Sequence, residues 1–254
     1  MRKILLILLL VVITVIFIVR HNNDPKNIIS NVILKNKPGA RDLAYKVNFL
    51  GFLPLGEAAF NREVIEGYRG EKVYHLKVTA RTLDFFSALF KGNVILDSYV
   101  DINTLNPLLF KQKVVSPGKE RADKEVYYDQ QKNTVTVDGI SRISLANTQD
   151  PLSAMLNIRR MDFKKTKEFK MNINTNHKNY ILKAVAEIKT VVVGGRAFEL
   201  VFLKGDIRRR DKDNPYHQTK ISMVLLKGKE NVPILINIFA SGIFINVRLV
   251  NTYE

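Results

Sequence analysis

The sequence predicts a mainly β fold: a large antiparallel sheet, curled or closed into a half-barrel around one or two short helices, with a transmembrane helix ahead of it. Three observations lead there. From residue 41 onward, short runs alternate apolar and polar residues, as where Leu43, Tyr45, Val47 and Phe49 interleave with Ala44, Lys46 and Asn48; period two marks strands with one buried face. Turn chemistry such as Gly194-Gly195 separates these runs, and they do not alternate with long helical segments, which argues against a parallel α/β sheet. The chain has 254 residues, 46% of them hydrophobic, enough for one sizeable core, and a single all-β domain reaches this length unaided.

At the N-terminus, Arg2 and Lys3 precede an apolar run from Ile4 to Val19 broken only by Thr14 and ended by Arg20. At about 1.5 Å per residue the run spans roughly 24 Å. The shortfall against a hydrocarbon core of ~30 Å is absorbed by snorkelling Arg and Lys side chains and slight bilayer thinning. Phe17, Ile18, Val19 and Arg20 stand where a cleavage site would need small residues. Residues 1–20 are therefore expected to be an uncleaved signal-anchor that leaves the rest of the chain extracytoplasmic, periplasmic if a second membrane is present. Residues 21–40 mix Asn, Lys, Pro and Gly around an apolar patch from Ile28 to Leu34, and read as a linker or a short helix. Residues 41–254 are expected to form the β domain.

After the strand at Leu43–Phe49 and a second alternating run at Tyr74–Ala80, further strands are expected at 56–66, 92–102, 108–116, 120–129, 132–138, 167–175, 178–192, 196–208, 216–226, 232–240 and 243–251. Two segments break the pattern. In Thr82–Phe90, Leu83, Phe86 and Phe90 share a face, which predicts a short amphipathic helix. The second, DPLSAMLNIRR at Asp150–Arg160, opens with an N-capping carboxylate and a proline suited to the first helical position. Leu152, Met155 and Leu156 then share a face, and Arg159, seven residues after Leu152, falls on it too.

The net charge is +16, of which Arg2, Lys3 and Arg20 supply three, leaving +13 for the expected exported part. Such a surface attracts polyanions. Export removes nucleic acid as the partner and leaves the membrane itself, anionic lipid headgroups, envelope polysaccharide or acidic proteins. Three basic clusters stand out: Lys111, Lys113, Lys119 and Arg121; Lys164, Lys165 and Lys167; and Arg208, Arg209 and Arg210. They read as solvated strand edges or as a face for anionic headgroups.

No catalytic, cofactor or metal constellation is legible, and the expectation is a protein that is not an enzyme. There is no cysteine, which excludes disulfides, thiolate nucleophiles and thiolate metal sites. His21, His75, His177 and His217 have no partner at metal-ligand spacing. Neither a G-x-S-x-G elbow nor a glycine-rich phosphate loop occurs. Glu57, Asp97, Asp101 and Asp150 are carboxylates of the kind that run glycoside hydrolysis, but they read as strand-end and capping groups.

The order Tyr45-Lys46-Val47-Asn48-Phe49, Gly56-Glu57-Ala58, Ser98-Tyr99-Val100-Asp101 through Thr104-Leu105-Asn106-Pro107, Tyr127-Tyr128-Asp129, DPLSAMLNIRR and Val232-Pro233-Ile234 resembles the domain of unknown function 3108 family of exported bacterial proteins. The resemblance covers roughly residues 41 to 251, and its most specific part is Asp150 to Arg159. It departs at Met223–Glu230, where the family usually shows a tryptophan and an acidic turn. The resemblance implies an exported antiparallel β protein without an established activity, similar in outline to the half-barrels of the Lol lipoprotein carriers, whose concave face takes acyl chains.

The expectation is therefore a membrane-anchored, non-enzymatic envelope protein whose concave face holds a lipid, an acyl chain or another amphipathic ligand. Arg159 would meet the ligand's anionic headgroup. The alternative is a structural or interaction protein that docks on envelope polymers or a partner complex through its basic surface. In that case Asp150, Arg159 and Asp101 form a structural latch, with Arg159 paired to Asp101 or Asp97.

Overall fold

The computed structural model describes residues 24–33, 42–68, 70–83, 92–116, 119–175, 178–210 and 218–253. The strands are β1 (Asp42–Phe49), β2 (Leu53–Tyr68), β3 (Glu71–Thr82), β4 (Asn93–Asp101), β5 (Pro107–Ser116), β6 (Lys119–Asp129), β7 (Thr134–Val137) and β8 (Ile140–Ile143). After helix α2 (Pro151–Arg160) come β9 (Glu168–Thr175), β10 (Lys178–Val193), β11 (Arg196–Arg209), β12 (Gln218–Leu226), β13 (Val232–Ala240) and β14 (Ile243–Tyr253). All fourteen lie in one antiparallel sheet, in the order β8 down to β1, then β14 down to β9. Each half is a meander of hairpins, and the halves join where β1 pairs with β14, from Asp42 opposite Tyr253 to Phe49 opposite Ile245.

The sheet is curled but its ladder does not close: β8 and β9 are its edges. The segment between β8 and α2 spans the gap. Gln149 forms a parallel bridge with Ile173, its N–H donating to Asn172 O at 2.8 Å and its carbonyl accepting from Asn174 N at 2.9 Å. Tyr128 Oη adds a bond to Asn174 O at 3.1 Å. These contacts cover part of an edge that would otherwise offer unpaired backbone groups.

Helix α2 lies inside the curl, because it touches β3 and β4 in one half and β9 at the far edge of the other. Its opposite sides serve different parts of the core. Leu152 and Leu156 join a cluster with Leu76, Val100 and Val126, while Ala154 and Ile158 join one with Val201, Leu203, Met223 and Leu225.

Part of the expected linker belongs to this core. Pro25–Ile28 forms a helical turn, α1, capped by Asp24 and continued by a π-helical turn at Ile29–Ile33. It rests on β10, β13 and β14, and Ile28, Ile29 and Val32 are buried with Leu200, Val224, Leu226 and Val232. Leu200 and Val201 are sequence neighbours and so point to opposite faces. With Val201 packed towards α2, α1 covers the outer face. The apolar patch is short because it has only that strip of sheet to cover.

The other corrections are local. β8 was not expected, since all four of its side chains are exposed and show no alternation. The predicted anchor (residues 1–20) and nearly all of the predicted helix at 82–90 lie outside the described residues. Among those described, no helix is long and apolar enough to cross a membrane.

Candidate functional site

Asp150 and Pro151 start α2 as the sequence suggests. Asp150 Oδ1 accepts from Leu152 N at 2.7 Å and Ser153 N at 3.0 Å, while Asp150 N donates to Ser153 Oγ at 3.0 Å, a reciprocal capping box. Its other oxygen accepts from Ser98 Oγ at 2.6 Å, so two of the motifs that mark the resemblance meet in the core. The side chain of Asn157 donates to Leu105 O at 3.1 Å, holding α2 against the turn at 101–106.

Asp150 is fully buried. Burial raises its pKa, against the lowering hydrogen bonds from Ser98, Ser153 and Leu152. The folded state therefore holds the proton more tightly than the unfolded chain. That contribution is complete below the unfolded value of about 3.9 and is lost as pH rises through the folded value. Asparagine keeps the cap without the charge. Asp150→Asn should thus match or fall below the wild type at pH 3 and gain on it towards pH 7 in urea unfolding, whereas Asp150→Ala, which also loses the cap, should cost about 1–2 kcal/mol at pH 3 and less towards pH 7.

At the other end of α2, Arg159 is 2% exposed and points where the sequence places it, on the face of Leu152 and Met155. Its carboxylate partner is Glu230, not Asp101 or Asp97. Arg159 Nη2 donates to Glu230 Oε2 at 3.4 Å and Nε to Asn231 O at 3.3 Å. Asn231 returns the contact, donating from Nδ2 to the carbonyls of Arg159 in the last helical turn and Met161 just past it, each at 3.0 Å. Asp101 is taken by its own turn, accepting from Asn103 N, Thr104 N and Thr104 Oγ1. Asp97 accepts from His75 Nε2 at 2.8 Å. The latch predicted from Asp150, Arg159 and Asp101 is thus two separate fastenings: Asp150 to Ser98, and Arg159 to the β12–β13 turn.

Glu230 serves three guanidinium groups. Arg62 Nη1 contacts both its oxygens at 2.6 Å, and Arg160 donates to Oε1 from Nε and Nη2, each at 3.3 Å. Arg160 also bonds Tyr74 Oη at 2.6 Å and lies over the Tyr74 ring, while Arg159 lies over Phe60 with its guanidinium carbon 5.3 Å from the ring centre. Burial would raise the Glu230 pKa, but the hydrogen bond from Arg62 and the charges of Arg62, Arg159 and Arg160 outweigh it and hold the carboxyl below its usual range. Burial likewise lowers the Arg159 pKa and raises that of the Tyr45 hydroxyl, which bonds Pro233 O at 3.1 Å.

Beside this cluster is an apolar cavity of about 180 Å³, lined by Leu43, Tyr45, Phe60, Met155, Arg159 and Ile236 among others. Arg159 Nη1 is buried and has no hydrogen-bond partner. The arrangement thus combines an apolar chamber, an unsatisfied buried cationic donor and three arginines on one carboxylate.

The remaining sequence candidates lie elsewhere. Glu57 pairs with Arg81 on the surface, its Oε2 2.7 Å from Nη2. His75 lies between Glu63 and Asp97 and stacks on Tyr99. Among the described residues, no three His, Asp or Glu side chains are placed to share a metal ion. Lys111 and Lys113 pair with Glu125 and Asp123 across β5 and β6. Sequence reasoning missed Glu230 and Asn231, which occupy a polar turn without periodicity.

A family model described as "Protein of unknown function (DUF3108)" matches residues 44–240. Among solved structures, the chain resembles a crystal structure of a beta-barrel-like protein of domain of unknown function DUF1849 from Brucella abortus. The TM-score is 0.56 at 11% identity, over 85% of this chain and 100% of that one. That likeness speaks for the fold. No curated protein matches.

Proposed function

The chain belongs to the DUF3108 family, and from that premise we propose that it is a non-enzymatic, membrane-anchored envelope protein that binds a small anionic amphiphile between α2 and the sheet. The observation that carries the reading is Arg159, buried at the wall of an apolar cavity with Nη1 unpaired. A buried donor left without a partner costs about 1–3 kcal/mol, which an entering carboxylate or phosphate oxygen would recover. The anchor and the extracytoplasmic location rest on residues 1–20, as read above.

The cavity volume restricts the ligand. About 180 Å³ is less than the ~300 Å³ at which ordinary ligand pockets begin, and α2 occupies the space a whole acyl chain would need. A cavity of ~150 Å³ accepts a molecule the size of benzene, so the fitting ligand has an apolar part of about six carbons. Hexanoate should bind the purified chain held in phosphatidylcholine nanodiscs, and hexadecanoate should not. Arg159→Met should weaken hexanoate about tenfold or more, the value of a hydrogen bond to a charged group, and leave hexanol unaffected, as read by ligand-observed NMR. Equal hexanoate binding by both proteins would refute the proposal.

A further inference from the structure

We infer that one rim of the half-barrel is a docking surface for an anionic lipid bilayer, formed by the β1–β2 and β13–β14 turns together with a row of lysines on the outer face of β9 to β12. The turns are adjacent, since Leu50 N donates to Phe244 O at 2.8 Å. Around them Leu50, Phe52, Phe239 and Ile243 are 42–47% exposed. Single exposed apolar residues are ordinary, but four on two touching turns form a patch.

The lysines follow from strand pairing. Lys170 is opposite Lys183, Lys183 opposite Asp206, Asp206 opposite Lys220, and Lys220 opposite Phe239, which pairs with Phe244. Ala184 and Leu203 pack with α2 inside the curl, so their sequence neighbours Lys183 and Lys204 face outward. An open groove of about 960 Å³ runs along this row and is lined by Lys170, Lys183, Lys204, Lys220, Phe239 and Phe244 among others. Lysines beside protruding apolar side chains match a bilayer surface, where phosphates attract the cations and the acyl boundary takes the apolar groups. A polyanion would use the lysines alone and leave the apolar tips in water.

The backbone gives an independent indication. Leu50 has φ 52°, in the left-handed region where asparagine and glycine are favoured and a bulky side chain is an outlier. A leucine there strains the turn and exposes apolar surface to water. Insertion into a bilayer accounts for the exposure.

The chain contains no cysteine, so a nitroxide can be attached at one introduced site. The full chain is reconstituted into vesicles of phosphatidylglycerol and phosphatidylethanolamine, or of phosphatidylcholine alone, carrying a label at Ile243→Cys or, as a control, at the exposed edge residue Ile143→Cys. The label at 243 should be shielded from an aqueous nickel chelate and accessible to dissolved oxygen in the anionic vesicles only, and the label at 143 should stay aqueous in both. Lys204→Gln with Lys220→Gln should lower the docked-to-undocked ratio about thirtyfold. Leu50→Asn should also reduce docking while keeping or raising stability to urea, which separates a lost contact from a damaged fold. A label at 243 that stays aqueous in anionic vesicles would overturn the inference. So would a surface that binds dextran sulfate through the same lysines and whose vesicle docking ignores Leu50→Asn.

Discussion

Glu230→Gln should destabilise the domain by about 3 kcal/mol, the lower end of the range for breaking a buried ion pair, because Glu230 keeps a side-chain exposure of 21%. At roughly 2–4 °C per kcal/mol for a domain of this size, the melting temperature should fall by about 6–12 °C. The substitution is nearly isosteric, so its effect comes from charge: Arg62, Arg159 and Arg160 lose their shared counter-ion. Arg159→Met, by contrast, leaves Glu230 with Arg62 and Arg160 as counter-ions and puts a space-filling side chain in place of the buried cation, so its cost should be smaller. The double variant should therefore be more stable than Glu230→Gln alone. A double variant as unstable as the two losses added would show that Arg159 does not respond to Glu230.

The Glu230 interaction is pH-dependent. Its folded pKa is lowered, so its contribution is complete above the unfolded value of about 4.3 and is lost as pH falls through the folded value. The stability difference between the wild type and Glu230→Gln should shrink in acid. The Asp150 contribution runs in the opposite direction, so the two variants separate the two ends of α2.

Gly56→Ala should be at least as damaging, at about 3 kcal/mol or more, with failure to fold as the extreme. A Cβ built on Gly56 would lie 2.3 Å from Arg81 O, a backbone atom near the end of the β2–β3 pairing, so the overlap is with main chain and not with the far end of a flexible side chain. Overpacking a site that can adjust costs about 1–3 kcal/mol, and this one has little room to adjust. Opposite it the β1–β2 register shifts between Val47 and Asn48, a bulge that bends the sheet. Gly205→Ala gives the internal comparison: its Cβ would lie 2.8 Å from Lys183 O and 3.0 Å from a Leu182 methyl, a milder overlap, so the loss should be smaller. Urea unfolding of both variants tests the order.

The strands were legible because one face of most of them is buried and period two leaves a trace in the sequence. The two ends of α2 were legible for local reasons, a capping carboxylate and proline at the start and an arginine on the apolar stripe at the finish. What pairs across the fold was not. Arg159 and Glu230 are 71 residues apart, and nothing in the turn before β13 distinguishes Glu230 from a solvated hairpin charge. The sequence offers Asp97 and Asp101 as partners because it does not show that His75 and the Thr104 turn already occupy them. The core role of Ile28, Ile29 and Val32 was hidden as well, since so short an apolar patch could be a tether or a cover until the strip of sheet beneath it is seen.

The meeting of β1 and β14 has a kinetic consequence. In β1 to β8 and in β9 to β14 each strand pairs with its sequence neighbours, contacts that close quickly, whereas Asp42 reaches Tyr253 only across almost the whole domain. Closing so long a loop is entropically costly and characteristically slow. The two meanders should therefore form early, and the rate-limiting event should be their joining along the β1–β14 seam. Destabilising substitutions confined to the β1–β14 pair should then slow refolding more than they speed unfolding, while equal losses within either meander's outer hairpins should do the reverse.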